Sequence, residues 1–254
     1  MTRVGIVGAA GRMGRAVAEA VANDPALTLV AAVDPAGTHD VVHGVEVAPE
    51  LRALADAGAE VVVDFTVVEA ARITLPWVAM HGMHAVVGTT GFDERDVSSL
   101  REVFTASNCV IAANFSIGAV LMMRFAELAA PWFDSVVIVE THHDQKIDAP
   151  SGTALETARR ISATSVDWGA DPTRRLVVDG VRGGRGPGGV PIHSLRVRGT
   201  VANQEVVFGS EGQTLTIRHD TVDRTSFMPG VVLACKKVAE RKGLTLGLGD
   251  LLEL

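Results

Sequence analysis

The chain has 254 residues, 47% of them hydrophobic and 21% charged. That suits one large or two modest globular domains and excludes a mostly disordered chain. A formal net charge of −7, with no tyrosine and 4% aromatic residues, argues against a nucleic-acid partner, whose binding surface is usually basic and supplied with stacking rings. Val4–Val7 predicts a buried strand. Arg12–Asn23 predicts a helix, with Met13, Ala16, Val17 and Ala20 on one face. A strand over Leu27–Val33 follows, then a short helix over Glu50–Ala57 and a strand over Val61–Phe65. Next come a helix over Val68–Met80, a strand over His84–Val87, a helix over Arg95–Ala106 and a strand over Cys109–Ala113. Strand and helix alternating at this pace predict an α/β fold, a Rossmann-type doubly wound parallel sheet.

The rhythm changes near residue 115. Ile117–Ala130 predicts a long apolar helix, Val136–Glu140 a β-branched strand and Thr153–Ser162 a helix. Arg175–Asp179, Ile192–Val197, Glu205–Gly209 and Gln213–His219 then read as strands with no helices between them. That is α+β grammar with a mostly antiparallel or mixed sheet, so a second domain is expected over residues 116–223. The first, residues 1–115, is expected to be completed by 224–254, where Phe227–Lys242 reads as one helix. Gly180–Pro191, with six glycines and two prolines, predicts an exposed loop rather than a tight turn. Cys109 and Cys235 lie in apolar runs and read as buried thiols in a reducing compartment. No signal-peptide pattern is visible, and no apolar run approaches the roughly 18–20 residues that span a bilayer. A soluble, cytoplasmic protein without a membrane partner is expected.

The first chemical motif is Gly8-Ala9-Ala10-Gly11-Arg12-Met13-Gly14, which follows a strand and opens a helix. Glycine at such a turn lets the backbone approach a pyrophosphate, and the helix start offers free amides and the positive end of its dipole. The G-x-x-G-x-x-G spacing is one residue off the common dinucleotide fingerprint. Its context supplies what the spacing lacks: Asp34 ends the next strand, where an acidic side chain accepts hydrogen bonds from ribose hydroxyls. Gly88-Thr89-Thr90-Gly91 and Ala112-Ala113-Asn114-Phe115 fall at later strand ends, where ligands of doubly wound sheets lie.

The second motif runs from Glu140 to Ala154, Glu-Thr-His-His-Asp-Gln-Lys-Ile-Asp-Ala-Pro-Ser-Gly-Thr-Ala. His142, His143 and Lys146 stand just past a buried strand, where a general acid can be placed. Ser151 is a good N-cap, and the amides of Gly152 and Thr153 at the helix start form an anion pocket beside Lys146. The same histidines could be a solvated strand end. A metal site lacks a third ligand at the right spacing, a Ser151 nucleophile lacks its elbow sequence, and Cys109 lacks a cationic neighbour.

Together these segments resemble the 4-hydroxy-tetrahydrodipicolinate reductases, also called dihydrodipicolinate reductases, of the lysine and diaminopimelate pathway. The His-His-x-x-Lys-x-Asp-Ala-Pro-Ser-Gly-Thr-Ala core carries most of the likeness. Val4–Gly14, Asp64-Phe65-Thr66, Gly88–Gly91, Asn114–Gly118 and His219–Gly230, with Arg224 and Phe227, agree with it. The 180–230 region looks actinobacterial in type. The resemblance implies that His142 is the catalytic acid/base and Lys146 the proton donor. It implies that His143, Ser151, Gly152 and Thr153 meet the substrate, a small cyclic dicarboxylate. It implies that Gly8, Ala9, Ala10, Gly11, Arg12, Met13, Asp34, Gly88, Thr89, Thr90, Ala112, Ala113, Asn114 and Phe115 hold NADH or NADPH. No metal is implied, and a homotetramer is expected. Ala113 stands where many relatives carry proline, which loosens a loop but removes no chemical group. Another two-domain dehydrogenase of amino-acid precursors, or a non-catalytic NAD-sensing module, would have no need of His142 and Lys146 together.

Overall fold

The computed structural model describes residues 1–37, 40–165, 168–169 and 171–253. The chain divides into two compact units, Met1–Ile117 with Arg224–Leu254, and Gly118–Asp223.

The N-terminal unit opens with β1 (Thr2–Val7), α1 (Arg12–Asn23) and β2 (Leu27–Val33). A small hairpin of β3 (Val41–Val42) and β4 (Val45–Ala48) precedes α2 (Arg52–Asp56). Then come β5 (Val61–Asp64), α3 (Val68–Met80), β6 (His84–Val87), α4 (Glu94–Val103) and β7 (Cys109–Ile111). Val61, Val62 and Val63 are buried on both faces, as a strand covered by helices requires. Apart from the β3–β4 pair, every neighbour in this sheet is parallel. Strand β1 lies between β2 and β5. The chain therefore builds outward in one direction and then returns to build in the other, leaving a switch point at the carboxyl ends of β1 and β5.

The second unit contains α5 (Ile117–Ala129, its first residue belonging to the N-terminal unit), β8 (Ser135–His142), α6 (Gly152–Thr164), β9 (Gly184–Arg185), β10 (Pro191–Arg196), β11 (Ala202–Ser210) and β12 (Gln213–Thr221). Its sheet runs β12-β11-β8-β10-β9. Strand β8 is parallel to β10 and antiparallel to β11, so the sheet is mixed. Val136, Ile138, Val206 and Phe208 form its buried face with Ala154, Ala158 and Ile161 of α6. The chain then returns to the N-terminal unit with α7 (Met228–Lys237) and β13 (Leu244–Leu246), which pairs in parallel with β7.

Two expectations are corrected, and several short elements were not foreseen. Arg175–Asp179 forms no strand: Leu176, Val177 and Val178 are exposed and pair with nothing in the sheet. Phe227–Lys242 is not one helix but α7 between 3₁₀ turns at Arg224–Phe227 and Val238–Glu240. β13 and the β3–β4 hairpin were not expected. The Gly180–Pro191 stretch is mostly exposed, yet it holds β9 and a 3₁₀ turn over Pro187–Gly189. Cys109 and Cys235 are buried free thiols; burial pushes Cys109 up strongly and Cys235 to about 12.

Candidate active site

In the N-terminal unit, the turn after β1 is tied to β2. The amides of Gly8 and Ala9 donate to the Val33 carbonyl at 2.8 and 3.2 Å. Gly8 adopts φ +79°, a conformation that a side chain would strain. A Cβ on Gly14 would collide with the Gly8 carbonyl oxygen and stand 2.7 Å from Ala9 Cα, so α1 can lie this close to the turn only with glycine there. Gly11 stands at the N-cap with no side-chain cap, which leaves the helix start to its own amides. Asp34 closes the same loop: Oδ2 accepts from the Ala10 amide at 3.1 Å and Oδ1 from the Ala36 amide at 2.9 Å. Arg15 donates to the Ala10 carbonyl and pairs with Asp40. A backbone cradle with an open helix start and a neighbouring carboxylate fits the phosphates and ribose of a dinucleotide.

Two further loops complete the carboxyl edge of this sheet. The Ala112 amide donates to the Val87 carbonyl at 3.0 Å, and Asn114 Oδ1 accepts from the Ser116 amide at 2.8 Å. Phe115 is buried, and its ring lies 5.7 Å from that of Phe65. Asp64, at the end of β5, is fully buried. Its Oδ1 accepts from the Thr66 amide, the Thr66 hydroxyl and the Thr89 hydroxyl at 2.7–2.9 Å. Gly8 to Met13, Asp34, Gly88 to Thr90 and Ala112 to Phe115 thus all belong to this one unit.

The second unit carries the acid–base residues. Strand periodicity puts Val136, Ile138 and Glu140 on one face of β8, so Glu140 ends an apolar stripe and is fully buried. A buried carboxylate needs partners, and Glu140 has four. Its Oε2 meets His142 Nδ1 at 2.5 Å. Arg196, opposite His142 on β10, donates through Nη1 to Oε2 at 3.1 Å and through Nη2 to Oε1 at 3.0 Å. The Ser151 amide donates to Oε1 at 3.3 Å. Ser194 also donates to the carboxylate. Burial works to raise the Glu140 carboxyl, but the bonds from His142, Arg196 and Ser194 outweigh it and bring it down to about 2.

From this carboxylate the network reaches the rest of the motif. Arg196 Nη2 donates to the Asp148 carbonyl at 2.7 Å, holding the β8–α6 loop. Asp148 in turn receives Lys146 Nζ on both oxygens, at 2.7 and 2.8 Å, and this bond lowers the Asp148 carboxyl. The Lys146 amide donates to the His143 carbonyl at 3.2 Å. Ser151 caps α6 as expected, its hydroxyl accepting from the Ala154 amide at 3.2 Å. A Cβ at Gly152 would meet nothing within 4 Å, so there is open space beside the helix start. The structure therefore gathers His142, His143, Lys146, Ser151, Gly152 and Thr153 on one strand end, one loop and one helix start. The sequence did not assign Arg196 or Glu140. A charge at the buried phase of the β8 stripe was a legible signal for Glu140. Arg196, 56 residues away in sequence, had none.

The family model for the N-terminus of dihydrodipicolinate reductase matches residues 2–115, and the model for its C-terminus matches residues 118–252. A 4-hydroxy-tetrahydrodipicolinate reductase of Mycolicibacterium vanbaalenii is 46% identical, with 99% of each chain covered. One of Cutibacterium acnes is also 46% identical, over the full length of both. Among solved structures, the dipicolinate-bound dihydrodipicolinate reductase of Paenisporosarcina sp. TG-14 superposes with a TM-score of 0.88 at 36% identity, covering 98% of this chain and 99% of that one. With both halves matched and a buried Glu140 anchoring the His-His-x-x-Lys loop, the chain belongs to the dihydrodipicolinate reductase family.

Proposed function

We propose that this protein reduces 4-hydroxy-tetrahydrodipicolinate to tetrahydrodipicolinate with loss of water, in lysine and diaminopimelate biosynthesis. The reading rests on the contact between Glu140 and His142 at the end of β8, which runs on into the loop that carries Lys146 and leads into the Ser151 cap. Bound NADH or NADPH supplies hydride to the conjugated double bond left by dehydration. The cradle of Gly8, Gly11, Arg12 and Asp34 holds the nucleotide, with the Gly88–Thr90 and Ala112–Phe115 loops at its far edge. His142, its Nδ1 bonded to Glu140, leaves Nε2 to exchange a proton. Lys146 Nζ donates the proton that the neighbouring enamine carbon takes up once hydride has reached the other end of that double bond. The amides of Gly152 and Thr153, with His143 beside them, receive a substrate carboxylate at the positive end of the α6 dipole. The protein acts in the cytoplasm as a homotetramer; exposed Phe125, Leu128 and Trp132 offer apolar surface for contacts between copies.

The test is loss of reduced-nicotinamide absorbance when the substrate is generated in the cuvette. General acid catalysis contributes about 10²–10⁴-fold. His142→Gln and Lys146→Ala should each lower kcat by about that factor while leaving NADH affinity near wild type. Dipicolinate, the ligand in the Paenisporosarcina structure, should inhibit competitively with the substrate. A wild-type protein that oxidises no nicotinamide with this substrate would overturn the assignment. A variant keeping half its kcat when chemistry limits the rate would remove that residue's role.

A further inference from the structure

Asp64 stands out in the N-terminal unit as a fully buried carboxyl. Its Oδ2 has no hydrogen-bond partner among the described residues, and burial pushes the group above the ordinary carboxylate range. All its bonds fall on Oδ1, and they come from two different loops. Thr66 donates twice from the β5–α3 loop, and Thr89 donates once from the β6–α4 loop. Both loops leave the carboxyl ends of their strands beside the switch point; the first touches the glycine turn, and the second touches the first. A Cβ on Gly8 would stand 3.0 Å from Thr66 Cγ2 and 3.4 Å from the Phe65 carbonyl oxygen. One on Gly88 would run into the Phe65 ring, which itself packs against Phe115. Moving the Phe65–Thr66 loop would therefore disturb three other loops at once.

We propose that Asp64 is a positioning residue for the nicotinamide nucleotide, joining the Phe65–Thr66 and Gly88–Thr89 loops through one oxygen so that the cleft is assembled before the nucleotide arrives. The proposal rests on the reading of this unit as the nucleotide site. A preformed cleft binds without the cost of ordering its loops. A buried, half-satisfied carboxyl costs stability, and a tie of this kind is a reason to retain it. Asp64 touches no reacting atom; it acts through Thr66 and Thr89.

The experiment measures NADH and NADPH dissociation constants by calorimetry, with thermal melts, for the full-length protein and its variants. Asp64→Ala should weaken NADH by about tenfold or more. Asp64→Asn keeps a carbonyl oxygen at the Oδ1 position and should stay within about threefold of wild type. Thr89→Val should weaken binding, but Asp64→Ala with Thr89→Val should bind no worse than Asp64→Ala alone, because the hydroxyl acts through the carboxyl. Wild-type affinity in folded Asp64→Ala, or full additivity of the two changes, would overturn the proposal. So would an Asp64→Asn variant as weak as alanine, which would mean that charge and not the tie matters. Should Asp64→Ala fail to fold, Thr89→Val binding as tightly as wild type would overturn it instead. A purely structural role would lower the melting temperature and leave the dissociation constants unmoved. A wild-type protein that binds neither nucleotide would remove the nucleotide site itself, and the proposal with it.

Discussion

Glu140 occupies a position where four donors meet, and its replacement separates their roles. Glu140→Gln keeps the volume but can turn an amide NH₂ toward His142 Nδ1, which forces the ring into the wrong tautomer. Steady-state kinetics should show kcat reduced by about 10²–10⁴-fold, with NADH binding unchanged, since the nucleotide residues belong to the other unit. Arg196 would also lose its charged partner, so the melting temperature should fall. The pH dependence follows from the lowered carboxyl. A group brought from 4.5 to about 2 on folding stabilises the native state above its ordinary value and loses that contribution as pH falls through the folded one. Wild-type melting temperatures should therefore drop between pH 4.5 and about 2, and the Glu140→Gln variant should show a shallower drop there. The residue types of this site were readable in sequence because Ser151, Gly152 and the paired histidines are contiguous. Arg196 was not, because only the parallel pairing of β8 with β10 brings it opposite His142.

At the level of elements, α1 packs tightly on the turn after β1. Gly14→Ala places a methyl against backbone atoms that cannot rotate away. Overpacking of this kind costs about 1–3 kcal/mol, and denaturant melts should show it together with weakened NADH binding. Gly11→Ala is the control: its Cβ would approach only the Gly8 carbonyl oxygen, at 3.2 Å, so its effect should be smaller. The elements that the sequence reveals are those whose period repeats. Leu27–Val33, Val68–Met80 and His84–Val87 fall where the pattern puts them. Those that escape are too short to have a period. Val41–Val42 and Leu244–Leu246 become strands only because a neighbouring strand offers its edge. Arg175–Asp179 fails for the opposite reason: Leu176-Val177-Val178 has strand propensity but no sheet to join.

For the whole molecule, the central fact is that the N-terminal unit is made of two pieces of chain. Asn108 binds the pieces together: Nδ2 donates to the Val238 and Ala239 carbonyls, both at 2.9 Å, and Oδ1 accepts from the Gly243 amide at 3.1 Å. Asn108→Ala removes all three bonds. At about 0.5–1.5 kcal/mol per bond, the loss should appear as a clear fall in the denaturant midpoint, with NADH binding retained at low denaturant. The interrupted layout also sets an order of events on the ribosome. The second unit, Gly118–Asp223, is continuous and emerges from the ribosome before the partner strand of Cys109–Ile111 does. Until Leu244–Leu246 emerges, that strand keeps an open apolar edge of the kind that pairs with other chains. The nascent nucleotide unit is therefore exposed to misassembly for as long as Leu244–Leu246 is held inside the ribosome, after the second unit has emerged.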